Sequence, residues 1–188
     1  GADPAAATRT AYLRAATRLV NEQGYRGASV DRIAAQLQLT KGSFYHHFRD
    51  KEDFALQAID QYMQHVHAGL DACLGDKARP PLERVRRFFE LTQQSYRREG
   101  YMGCLLGGLG QELSGVSELF RRRIEDCFSE IAKRIAVCLE EARREGDIPA
   151  DSNTRRMASL LVDCWEGAAL RSRLRGNATP LTTMLDFY

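Results

Sequence analysis

The sequence predicts an all-α chain with a helix-turn-helix near its N-terminal end. Apolar residues recur at helical spacing in one segment after another, as Val30, Ile33, Ala34 and Leu37 do at i, i+3, i+4 and i+7. Glycines at 24, 75, 100, 146 and 176 punctuate these segments where helices would stop. Two short segments are separated by only a few residues around Gln38 and Leu39. That is the tight junction of a helix-turn-helix, whose second member enters the major groove of DNA.

The first helix is expected over residues 8–22, with Tyr12, Leu13, Ala16, Leu19 and Val20 on its stripe and Gly24 as its stop. Arg9, Arg14 and Arg18 lie off the stripe, either as a solvated basic face or as phosphate contacts. Ser29 caps the second helix. The third falls within residues 40–51, T-K-G-S-F-Y-H-H-F-R-D-K, and starts from Thr40 as N-cap. Phe44 and Phe48, four apart, share its packed face and leave Lys41, Ser43, Tyr45, His46 and His47 for the others. Gly42 costs roughly 1 kcal/mol of helix stability relative to alanine. In return it lets a phosphate or base edge come close to the first-turn N–H groups, where the helix dipole favours an anion. Asp50 caps a long fourth helix with Glu52 and Asp53 in its first turn and a stripe of Phe54, Ala55, Ala58, Ile59, Tyr62, Val66 and Leu70. Lys51, at its start, is placed to reach a phosphate beside the groove.

A fifth helix begins at Pro81 and buries Leu82, Val85, Phe89 and Tyr96, while Arg84, Arg86 and Arg87 read as a solvated face. The glycine-rich run of residues 100–113 is not a nucleotide loop, because no strand precedes it and the third glycine of that fingerprint is missing. A short helix starting just after Gly103 would put Cys104 in its first turn, where the dipole favours a reactive thiolate. The same residue also reads as a small buried hydrophobe. Ser117 caps the longest helix, with Phe120, Ile124, Cys127, Phe128, Ile131, Ile135, Cys138, Leu139 and Ala142 inward. A last long helix carries Met157, Leu160, Leu161, Cys164, Trp165 and Ala168, and Thr179 and Pro180 open a final short one. The two long helices suit half of a four-helix bundle with a second copy, Gly167, Ala168 and Ala169 allowing close approach.

With 188 residues and 44% hydrophobic content, the chain can build one ordinary domain or two small ones. No apolar run approaches the roughly 18 residues of a membrane span and no secretory leader pattern opens the sequence, so a cytoplasmic protein is expected. Five scattered cysteines, with no C-x-x-C pair, argue against a disulfide scaffold. His46 and His47 are adjacent and His65 and His67 two apart, so on helices they point to different faces, and neither a metal nor another cofactor is expected. Residues 1–51 hold eight basic against four acidic side chains, whereas the rest holds 19 against 21. Positive charge gathered in the head is what a nucleic-acid-binding domain on a neutral body would show.

The run Asn21-Glu22-Gln23-Gly24-Tyr25, then Ala28-Ser29-Val30-Asp31-Arg32-Ile33-Ala34, then residues 40–51 closely resembles the TetR family of transcriptional repressors. The resemblance implies an all-helical homodimer in which residues 1–50 bind DNA and residues 51–188 bind an effector and dimerise. Carried over by position, it implies phosphate contacts from Ser29, Thr40, Tyr45 and Lys51, with Lys41, Ser43 and His46 nearest the base edges. Further on, Tyr101-Met102-Gly103-Cys104-Leu105-Leu106, Glu112-Leu113-Ser114 and Trp165-Glu166-Gly167-Ala168 look like the members that respond to aldehydes, quinones and similar electrophiles. Many of those carry a lysine shortly after the last motif. Here Arg171, Ser172 and Arg173 stand instead, and an arginine does not deprotonate in the working range.

These readings make the expected function that of a dimeric repressor on a near-palindromic operator, its two recognition helices about 34–36 Å apart. An effector would favour a conformer with the wrong spacing, the fourth helix acting as the lever. That effector is either an electrophile captured by Cys104 or a reversible apolar ligand held among Tyr96, Met102 and Trp165. An enzyme is not expected: a thiol enzyme built on Cys104 would need His65 or His67 to fold back onto it, since no histidine follows His67. A helical adaptor without a DNA role is disfavoured by the residues of the recognition segment.

Overall fold

The computed structural model describes residues 3–188, without the side chains of Ala5 and Ala16. Among the described residues there are nine helices and no strand. Helix α1 (Pro4–Gly27) starts earlier than expected because Pro4 suits a first helical position and an alanine run follows it. Its backbone leaves helical geometry at Gly24 (φ 79°, ψ 166°), the expected stop. Tyr12, Leu13, Leu19 and Val20 are buried as the stripe requires, while the Ala16 side chain lies outside the described residues. Then come α2 (Val30–Gln36), α3 (Lys41–His47), α4 (Lys51–Leu74), α5 (Pro81–Arg98), α6 (Leu105–Leu113), α7 (Glu118–Glu145), α8 (Thr154–Arg175) and α9 (Thr179–Phe187).

By contacts the chain forms two compact units that do not follow chain order. The first runs up to Gln64 and adds Leu105–Arg121, and the second takes His65–Cys104 and Arg122–Tyr188. By contacts the first unit takes in the first half of α4. The physical reason is that Phe54, Ala55, Ala58 and Ile59 bury the first half of α4 in the head.

In the first unit an aromatic cluster holds α3. Phe44 and Phe48 have ring centroids 5.1 Å apart, Phe48 meets Phe54 edge-on at 5.1 Å, and Tyr12 approaches both phenylalanines of α3. Asp50 caps α4 by accepting the Asp53 N–H at 2.7 Å, and Asp53 accepts the Arg49 N–H at 3.0 Å in return. Helix α6 packs against α1.

In the second unit α9 packs on α8 and is tied to α5, where Arg86 donates to the Leu185 carbonyl at 3.0 Å and the Tyr188 hydroxyl to that of Leu82 at 2.6 Å. Two expectations change here. Arg84 is not on a solvated face but 3% exposed, donating to the Arg79 carbonyl at 2.7 Å and pairing with Glu141 at 3.0 Å. Its long stem fills the core while two acceptors satisfy the guanidinium. On α8 the buried side is Ala158, Val162, Trp165, Ala168, Ala169 and Ser172, so Leu160 and Cys164, grouped in the sequence with Trp165 and Ala168, are exposed. The helix carries apolar residues on two faces, and spacing alone does not say which face the fold covers.

Candidate nucleic-acid interface and small-molecule site

The Ser29 hydroxyl accepts the Arg32 N–H at 3.2 Å and the Thr40 hydroxyl accepts that of Ser43 at 3.2 Å, so both are N-caps that set where α2 and α3 begin. With Phe44 and Phe48 buried, the opposite side of α3 presents Lys41, Gly42, Tyr45 and His46, all exposed, beside exposed Ser29 and Thr40. Ser43 is placed differently: it is half-buried, and its oxygen accepts the Tyr12 hydroxyl at 2.9 Å. Of the residues expected nearest the bases, Lys41 and His46 stand on the open side and Ser43 faces α1. Lys41 also pairs with exposed Asp31 at 3.4 Å, which offsets part of its charge.

Lys51 is half-buried, its Nζ 4.1 Å from the centroid of the Tyr25 ring. Burial holds its pKa below the ordinary lysine value, and the Glu112 charge pulls in the opposite direction. Glu112, on α6, also accepts the Tyr25 N–H at 2.5 Å. A Cβ at Gly24 would lie 2.8 Å from its carboxylate, so glycine at that position, already at positive φ, is what allows the approach. The Tyr25 ring meets Phe120 at 5.6 Å. Glu112 was visible in the sequence only as part of a motif. Its role was not, because its partner is 87 residues away.

Gly42 offers a direct check on the open face. A Cβ there would meet nothing nearer than Thr40 Oγ1 at 3.8 Å, so Gly42→Ala fits the free protein. It should raise thermal stability by up to about 1 kcal/mol while weakening DNA binding, measured by thermal scans and gel shift on the same sample.

In the second unit, α8 gathers the residues expected to bind an effector. Trp165 and Tyr96, both 4% exposed, stack with centroids 6.5 Å apart, and Phe89 meets Trp165 at 4.8 Å. The segment before α6 lies along the same helix. The Met102 carbonyl accepts Arg173 Nη1 at 3.2 Å, a Cβ at Gly103 would lie 3.8 Å from the Ala169 carbonyl, and the Cys104 thiol hydrogen-bonds Glu166. Residues 166, 169 and 173 are spaced i, i+3 and i+7, so three consecutive residues run down one face of α8. Tyr101 takes a positive φ of 60° and Gly103 one of 77°, which turns the chain onto that face. Cys104 is buried and stands immediately before α6 rather than within its first turn. Sequence reasoning missed Phe89 and Glu166 as partners. The W-E-G-A motif contains Glu166, but nothing local tells that it points to Cys104.

Burial pushes the half-buried Glu166 carboxyl up to about 7 from its ordinary 4.5, with the hydrogen bond to Cys104 working the other way. A raised carboxyl supports the fold while protonated. That support is complete below the ordinary value and is lost as pH rises through about 7. Thermal scans from about pH 5 to 8 should show the wild type losing stability relative to Glu166→Gln, with the gap closing at the acid end.

Residues 13–58 match the family described as bacterial regulatory proteins, tetR family, and residues 81–188 match the tetracyclin repressor-like C-terminal domain. The chain belongs to the TetR family of transcriptional regulators. It is 34% identical to the transcriptional regulator AcuR of Cereibacter sphaeroides, over 96% of this chain and 83% of that protein. It is 31% identical to the transcriptional repressor DhaR of a Mycobacterium species, over 90% of this chain and 84% of that one. A crystal structure of a TetR regulatory protein from Rhodobacter sphaeroides superposes with a TM-score of 0.90 at 33% identity, covering 95% of each chain. As a TetR-family member the protein is a DNA-binding transcriptional regulator, with an N-terminal helix-turn-helix domain and a C-terminal helical domain that binds ligand. Among the described residues no helix is long and apolar enough to cross a membrane.

Proposed function

We propose that the protein is a homodimeric cytoplasmic repressor that binds a near-palindromic operator and is released when Cys104 captures a small electrophile. The observation that carries this reading is the run of chain from thiol to head. Cys104 is followed directly by α6, and at the other end of α6 Glu112 holds the Tyr25 N–H beside Lys51. An adduct at Cys104 disturbs the start of α6, and α6 transmits the shift to the Tyr25 backbone and to the ammonium intended for a phosphate. In the adduct the sulfur bonds to the electrophilic carbon and the thiol proton ends on the electrophile, so no oxidant is needed. For an aldehyde the product is a hemithioacetal.

A second copy is supported by the outward face of α8. Leu160 and Leu174 are 61% and 72% exposed and lie seven residues either side of exposed Gly167, the spacing of a helix seam with close approach at its centre. The DNA contacts are assigned to Ser29, Thr40, Lys41, Gly42, Tyr45, His46 and Lys51. Ser43 serves by seating α3 through Tyr12. A reversible ligand among Tyr96, Met102 and Trp165 is the second reading, favoured by the burial of Cys104.

The test is binding to duplexes recovered by selection from random DNA, measured across salt concentrations. Specific binding that falls steeply with salt, and weakens further after treatment with an aldehyde or quinone, is expected. Absent or salt-insensitive binding would overturn the reading.

A further inference from the structure

Two buried side-chain polar atoms on α8, Trp165 Nε1 and Ser172 Oγ, have no hydrogen-bond partner among the described residues. Native proteins seldom leave such groups unsatisfied, so each asks for an explanation. Ser172 needs only a change of rotamer, which would bring its hydroxyl onto the carbonyl one turn back in the helix. Trp165 has no such recourse. Its indole N–H is a rigid donor, the residue is 4% exposed, and the rings of Phe89 and Tyr96 lie beside it with centroids at 4.8 Å and 6.5 Å. A rigid buried donor left unsatisfied beside two aromatic rings is the kind of group that a small ligand's acceptor would satisfy, the rings receiving its apolar body.

We propose that Trp165 Nε1–H is the polar anchor of the effector site and that its ligand is a compact, uncharged molecule presenting a carbonyl oxygen. A hydroxyl could also accept the indole proton, but its own proton would then need a second, well-placed acceptor. A carboxylate would bring a negative charge next to Glu166, whose carboxyl is itself disfavoured as an anion by burial. A carbonyl accepts the indole proton and asks for nothing further. The inference rests on the effector role given to this unit above, and it separates recognition from reaction: the oxygen is held by Trp165 whether or not the carbon is later attacked by Cys104.

The probes are cyclohexanone and methylenecyclohexane, which share a ring and differ only in =O against =CH2. Binding is followed by saturation-transfer NMR without DNA, and in the wild type also by emission of Trp165, the single tryptophan of the chain. Cyclohexanone should bind wild type and Cys164→Ser alike, and methylenecyclohexane about tenfold more weakly, the worth of one buried hydrogen bond. Trp165→Phe keeps a ring against Phe89 and Tyr96 and should lower ketone affinity to that of the alkene. Equal binding of the two probes, no ketone binding up to its solubility, or an unchanged ketone affinity in Trp165→Phe would each overturn the proposal and leave the donor to a water molecule. Operator binding is scored separately without ketone. Loss of the repressor reading alone would leave the probe discrimination intact, and loss of the discrimination would leave operator binding untouched.

Discussion

Tyr45→Ala is expected to weaken operator binding by about ten- to hundredfold, the cost of one well-placed contact, while lowering stability by only about 1 kcal/mol. The side chain is 48% exposed and its ring meets Phe44 edge-on at 5.4 Å, but the fully buried Phe44 keeps Phe48 and Phe54, so removing Tyr45 costs the aromatic cluster one outer contact. Tyr45→Phe separates the parts of that contact: if the hydroxyl reaches a phosphate, this variant loses most of the same affinity. Lys51→Ala should act differently. Its ammonium sits over the Tyr25 ring, so its loss lowers the slope of log affinity against log salt by about one while affecting all DNA sequences alike. Wild-type affinity in both alanine variants would mean that neither this face of α3 nor the start of α4 meets DNA.

Cys104→Ser should leave operator affinity near that of the wild type and abolish release by aldehydes and quinones. In the wild type the same treatment should lower affinity by about 5- to 150-fold, the usual range of coupling between two sites. Serine keeps the volume and a hydrogen bond toward Glu166 but is a poor nucleophile at neutral pH. Cys164 provides the control. It is the exposed cysteine of α8, so it will also be modified, and Cys164→Ser should release DNA normally. Mapping the modified residue by mass spectrometry against gel-shift loss then ties the response to one thiol. Release of the Cys104→Ser protein on exposure would reduce that residue to packing.

The helix boundaries and packed face of the recognition segment were legible because their determinants are local, whereas the Tyr12 partner of Ser43 lies 31 residues away. Thr40 capping, the four-residue spacing of Phe44 and Phe48, and the short junction after α2 all act within a turn or two, and the structure places each as expected. The helices of the second unit were legible as helices for the same reason. Their faces were less so. On α8 both Leu160 and Trp165 are apolar, and only the packing of Phe89 and Tyr96 selects Trp165 for the interior. On α5 three arginines look alike in sequence, but Glu141 and the Arg79 carbonyl draw Arg84 alone into the core.

What the sequence determined by itself is therefore the helical architecture, the reading helix and its family, since helix periodicity, caps and stops are written within short windows. The tertiary structure decided which groups act together across distance. It put Glu112 on the Tyr25 N–H, Cys104 against Glu166 and Lys51 over Tyr25. Those contacts join residues far apart in the chain, and charge, burial and hydrogen bonding at each depend on neighbours that no local window contains.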